Sequence, residues 1–126
     1  MGEAHTGMSS SDVTRLYSKN IDDLYEELGR ALVAPEFPKG GPVSKQVAVQ
    51  RGRSFLSGSM DKLKAKICVD WHYCSRRGDY SNFQSLAYAV APLVSSVAGV
   101  PATTAMIVTV LLIRIGLDDL CHCPNT

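Results

Sequence analysis

The sequence predicts a small all-α bundle of five or six helices, ending in a very apolar helical hairpin. Three observations predict it. Apolar side chains recur every three or four positions from Leu16 to Leu32 and again from Met60 to Cys74, the spacing of one helix face. Three prolines and two glycines between Pro35 and Pro42 separate these stretches, and such a run continues no helix. The thirty-two residues from Asn82 to Ile113 then carry no charged side chain at all.

Size and composition set the frame. The 126 residues are 45% apolar and 20% charged, a globular composition that excludes a disordered or collagen-like chain. Three segments follow from the punctuation: an acidic amphipathic helical segment over 1–34, a Pro/Gly linker over 35–42, and a helical core over 43–126 containing the hairpin 82–120.

The first helical segment starts among Ser9, Ser10, Ser11 and Asp12, whose side chains accept from free backbone N–H groups. Leu16, Tyr17, Ile21, Leu24, Tyr25, Leu28 and Leu32 form its apolar stripe. Asn20 followed by Asp22 and Asp23 signals a second start, so a break is expected at Ser18–Asn20. Glu26 and Arg30 are spaced to pair across one turn. The carboxylates Asp22, Asp23, Glu26 and Glu27 read as a solvated face rather than a cation site. After the linker, Ser44 caps a short helix to about Phe55, and a second helix starts at Ser59 behind Gly58. That helix buries Met60, Leu63, Ile67, Trp71 and Cys74 and ends at Arg76-Arg77-Gly78, cations and glycine suiting a helix C-terminus.

The uncharged run divides at Gly99-Val100-Pro101, giving helices over about 82–98 and 101–120. Proline is favoured as the first residue of a helix, whereas Pro92 inside the first one is expected to kink it or remove one hydrogen bond. From Met106 to Ile115 nearly every face of the second is apolar, which means a buried helix, an oligomer interface or a membrane span. Two spans with a turn need about forty residues, more than this run supplies. A single span over 95–113 fits by length.

Charge is uneven. Residues 1–36 carry three basic and seven acidic groups, residues 37–77 nine basic and two acidic, and residues 78–126 one basic and three acidic, for a net of +1. The near-neutral total gives no bulk argument for nucleic acid. The acidic front and basic middle are expected to meet within the fold, with an anionic partner as the alternative. Trp71, Tyr73 and Tyr80 around Arg76-Arg77 echo single-strand binding surfaces only faintly.

Chemistry is confined to cysteine and histidine. Met1–Ser11 is polar, so no secretory leader and a cytoplasmic location are expected, and the four cysteines read first as free thiols. If the last helices run up, down and up, Cys74 meets Cys121 and Cys123. His72 or His122 then completes a thiolate–imidazole zinc site, although no C-x-x-C spacing supports it. A disulfide is the third reading. Cys68 and His72 are merely one helical turn apart, without an orienting third group, and no hydrolase, metalloprotease, phosphate or dinucleotide motif occurs. No enzyme is expected.

The favoured function is therefore a non-catalytic interaction or regulatory subunit. It self-associates or docks on a protein through Leu86, Val90, Ile107, Val110, Leu111 and Ile115 of the hairpin. Arg114 and Asp118 are expected to pair on the hairpin's solvent side. One rival is a small membrane-inserting protein spanning near 95–113 with its N-terminus in the cytoplasm. The other is a zinc or thiol site at Cys74, Cys121 and Cys123 with His72.

Overall fold

The computed structural model describes residues 10–33 and 44–124, and these are helical with no strand among them. The order is α1 (Ser10–Ser18), α2 (Ile21–Val33), α3 (Lys45–Lys64) continuing as a π-helical turn (Ala65–Asp70), and α4 (Tyr73–Arg76) with a 3-10 turn (Arg77–Asp79). It closes with α5 (Phe83–Ala98), α6 (Ala102–Ile115) and α7 (Leu117–Leu120). The all-α fold is as expected. The expected linker over 35–42 lies outside the described residues.

Most boundaries sit where local chemistry puts them. Asn20 Oδ1 accepts from Asp23 N at 2.8 Å, Ser44 Oγ from Val47 N at 3.2 Å and Asn82 Oδ1 from Ser85 N at 2.8 Å, each meeting a donor that the first helical turn leaves free. Gly99 ends α5 in the left-handed region, at φ 69°. Three boundaries differ from expectation. The helix beginning after Ser44 runs through Gly58-Ser59 without a break, because a helix-interior glycine costs only about 1 kcal/mol and packing on either side outweighs it. It stops instead at Trp71-His72, where His72 turns left-handed at φ 62°. Likewise α6 ends at Ile115, since Gly116 takes φ 117° before α7 starts.

The core runs through the whole described chain. Val13 and Leu16 of α1, Leu24 and Leu28 of α2, Leu56 and Leu63 of α3, Val90 and Val94 of α5, and Val108 and Leu111 of α6 belong to one buried cluster. The acidic N-terminal segment is therefore part of the same core as the rest. Helix α6 lies at its centre, packed by α1, α2 and α5, and all nine residues from Thr104 to Leu112 are buried. This environment accounts for its all-round apolarity: no face of α6 needs to meet water. The buried hydroxyl at its middle, Thr109, donates to Ala105 O at 2.7 Å.

Helices α2 and α3 approach closely, at glycine. A Cβ on Gly29 would stand 1.8 Å from Ala48 O, and one on Gly52 would stand 2.2 Å from Tyr25 O. The approach also brings the acidic front onto the basic middle. Arg53 meets Asp22 at 2.6 Å, Lys45 meets Asp23 at 3.1 Å, and Arg53 lies over the Tyr25 ring. Glu26 pairs with Arg30 along α2 at 2.7 Å as expected. The carboxylates of α2 are thus engaged with cations of this chain.

Candidate functional site

The hairpin does not present the expected docking face. Val90, Val110 and Leu111 are wholly buried, Ile107 is 4% exposed and Leu86 is partly covered, which leaves Ile115 as the one exposed member of the six. The expectation that these side chains form a free surface is corrected by the packing of α1 and α2 over α6. The expected Arg114–Asp118 pair is absent as well. Gly116 breaks the helix between them, and Arg114 donates instead to Tyr17 O at 2.7 Å and to Lys19 O. It thereby places a cation on the last carbonyls of α1, where the helix dipole favours one.

Helices α5 and α6 together are long and apolar enough to cross a membrane, but they meet at 114°. Among the described residues no single helix meets that test, and the expected single span over 95–113 is corrected, because α5 ends at Ala98 and α6 starts at Ala102 within it.

The residues with distinctive chemistry gather where the end of the chain crosses the turn after α3. Cys68 is bonded to Cys121 and Cys74 to Cys123. The expectation of free thiols is therefore corrected, and so is the ligand set Cys74, Cys121, Cys123 and His72. A cysteine binds zinc as its thiolate, and in this structure the sulfurs are spent on each other. The juxtaposition of Cys74 with the C-terminal cysteines was legible; the participation of Cys68 was not. In an unbroken helix, residues six apart point about 120° away from each other. The π-helical turn, with Trp71 N bonded to Lys66 O at 2.9 Å, and the left-handed His72 rearrange the chain between them. Both sulfurs then face the C-x-C pair at Cys121 and Cys123. His122, between those two, is the other described non-glycine residue with positive φ, at 55°.

Polar contacts reinforce the covalent ones. Tyr73, buried under the crossing, donates its hydroxyl to Asp118 Oδ1 at 2.7 Å. Arg77 holds Asp118 Oδ2 at 2.9 Å and Pro124 O at 2.8 Å. The Tyr73 hydrogen bond first, and the Arg77 cation with it, hold the Asp118 carboxyl below its ordinary value against the opposing effect of burial. Burial first, then the bond to Asp118, raises the Tyr73 phenol above its ordinary value. Arg76 donates to Trp71 O at 2.7 Å and its guanidinium lies over the Trp71 ring, so the Arg76-Arg77 pair is engaged within the chain. Beside the crossing, Tyr73, Leu86, Ile113, Gly116, Leu117 and Asp118 line a cleft of about 260 Å³.

In the chain-entropy treatment, a cross-link closing a loop of this separation, 53 residues for Cys68–Cys121, stabilises by about 4 kcal/mol. The second closes only the small ring left between the two bonds and adds less.

The Tyr73–Asp118 bond carries a pH signature. Asp118 has a lowered folded pKa, so its contribution is present above its unfolded value of about 4 and is lost as pH falls through the folded one. Tyr73 has a raised folded pKa, so its contribution is complete below its unfolded value of about 10 and fades as pH rises beyond it. Tyr73→Phe is expected to cost about 1 kcal/mol between those limits, with the difference from wild type shrinking on both sides. Urea unfolding of both proteins across pH measures this. A difference independent of pH would show that the hydroxyl contributes nothing through Asp118.

A second group of charges has no such partners. Of the basic middle, Lys45 and Arg53 pair with α2, while Arg51, Lys62, Lys64 and Lys66 form no ion pair among the described residues. They lie along α3 and its π-helical end, where Val47 and Val69 are 46% and 63% exposed. By contrast, the charged groove of Lys19, Asp23, Glu26, Glu27 and Arg30 is neutralised with the help of α3: Lys19 meets Glu27, Arg30 meets Glu26, and Lys45 reaches in to Asp23. Comparison with known protein families, with curated proteins and with solved structures found no match.

Proposed function

We propose that the chain is a cytoplasmic, non-catalytic interaction module that docks on an acidic protein surface through the outer side of α3. The observation that carries this reading is the split of the basic middle: one part is neutralised by α2, and Arg51, Lys62, Lys64 and Lys66 are left without an ion-pair partner among the described residues. Arg51 and Lys62 fall on one side of α3, about 20° apart around its axis. Like charges on one side steer and hold a complementary partner, and the exposed Val47 and Val69 on the same helical run add apolar contact. Docking through the hairpin gives way to docking through α3, because five of the six hairpin residues lie in the core or pack against it, Ile115 being the exception. In a cytoplasmic protein the two disulfides belong to the transient, redox-responsive kind.

The test uses polyglutamate as an acidic polypeptide probe. Wild-type protein is expected to bind it with an affinity that falls as salt rises. The triple variant Lys62→Glu, Lys64→Glu, Lys66→Glu is expected to bind at least about tenfold more weakly, with thermal stability close to wild type because none of the three side chains is buried. Binding that charge reversal leaves unchanged overturns the proposal. A membrane-inserting role has the uncharged run from 82 to 113 in its favour, but requires the core around α6 to open. Retention with lipid in a flotation gradient after an alkaline wash would select it instead.

A further inference from the structure

We propose that the two disulfides form a redox-operated latch on residues 117–124, which pivot at Gly116 to lift Leu117 off the core and bare Leu86 and Ile113, which line the same cleft. Three features combine. The hinge is Gly116, at φ 117° and ψ 99°, a backbone state that side-chain-bearing residues rarely adopt. The strap is α7 with the chain after it, attached by Leu117, which is 3% exposed, and by Asp118 through Tyr73 and Arg77. The latch is a pair of bonds joining the same two short segments, 68–74 and 121–123. Either bond alone still anchors the strap, so release requires both to be broken.

All four cysteines are partly exposed, within reach of a small dithiol or a protein dithiol of the kind that keeps cytoplasmic thiols reduced. For each bond, one thiolate of the reductant attacks a cysteine sulfur and displaces its partner as a thiolate, which takes up a proton. The second thiol of the reductant then closes its own disulfide and frees the other cysteine. Two electrons and two protons pass to the protein per bond, and one dithiol becomes one disulfide. Two dithiols open the latch. Beyond Leu117 the strap adds only partly buried side chains to the cluster formed by α1, α2, α3, α5 and α6, so the bundle has a core of its own when the strap leaves.

Hydrogen exchange read by mass spectrometry on the full chain tests this, with dithiothreitol as the reductant. The readout is independent of polyglutamate binding, so the latch and the docking surface stand or fall separately. Oxidised protein and the variants Cys68→Ser/Cys121→Ser and Cys74→Ser/Cys123→Ser are expected to keep residues 117–123 protected. Reduced wild type and the variant with all four serines are expected to exchange there roughly tenfold faster or more, while α2 and α6 stay protected. Fluorescence of an anilinonaphthalene sulfonate dye should rise in step as Leu117 leaves the core and Leu86 and Ile113 are bared. Protection of 117–123 that survives loss of both bonds overturns the latch. So does exchange that rises equally in α2 and α6, which would make the disulfides a staple of the whole fold. Opening of the strap in either two-serine variant overturns the claim that both bonds must break.

Discussion

Alanine at Gly52 or at Gly29 is expected to cost the protein about 3 kcal/mol, whereas the same substitution at Gly58 should stabilise it by about 0.5–1 kcal/mol. All three glycines are interior to helices, so propensity alone predicts a gain at each. Space decides otherwise at two of them. The added methyl at Gly29 would overlap Ala48 O at 1.8 Å, and at Gly52 it would overlap Tyr25 O at 2.2 Å. Both obstacles are backbone atoms and cannot rotate away. The helices must separate, which also lengthens the Arg53–Asp22 and Lys45–Asp23 contacts across the same interface. At Gly58 a methyl meets nothing within 4 Å, and the substitution only narrows the unfolded ensemble. Urea midpoints should therefore rank Gly58→Ala above wild type, and wild type above Gly52→Ala and Gly29→Ala. A stabilised Gly52→Ala would mean that α2 and α3 do not approach as closely as the backbone positions require.

The same glycines show which features a sequence carries openly. The caps at Asn20 and Ser44 and the stop at Gly99 were legible because each depends on residues within one turn of itself. Gly29 and Gly52 carry no local sign of their role, since what excludes a side chain there belongs to another helix. Gly58, an apparent break, does not interrupt α3, while the real break at His72 accompanies a crossing from the far end of the chain. Cysteine pairing was hidden for the same reason: Cys68 and Cys74 point apart on the helix that their spacing suggests. Nor could α6 declare its surroundings. A helix with a polar face shows which side meets water; one that is apolar on every face shows only that it avoids water.

That ambiguity makes Val110 the most informative position in α6. Val110→Asp is expected to cost more than about 4 kcal/mol and to abolish cooperative folding, because it places an unpaired carboxylate where the side chain has no exposure. Ile115→Asp, near the end of the same helix and 42% exposed, should cost about 1 kcal/mol, mainly from a negative charge at a helix C-terminus. Had the hairpin been a docking surface, both variants would fold alike and lose only a partner. Val110→Ala keeps the comparison measurable where the aspartate variant does not accumulate: it should remain folded but lose about 2 kcal/mol, the lost contacts plus the space left behind. Circular dichroism with urea titration separates the outcomes. Near-wild-type stability for Val110→Asp would take α6 out of the core, and with it the argument that moves docking from the hairpin to α3. Loss of folding at Val110 with little change at Ile115 would place α6 inside the bundle and leave the outer side of α3 as the surface to probe for a partner.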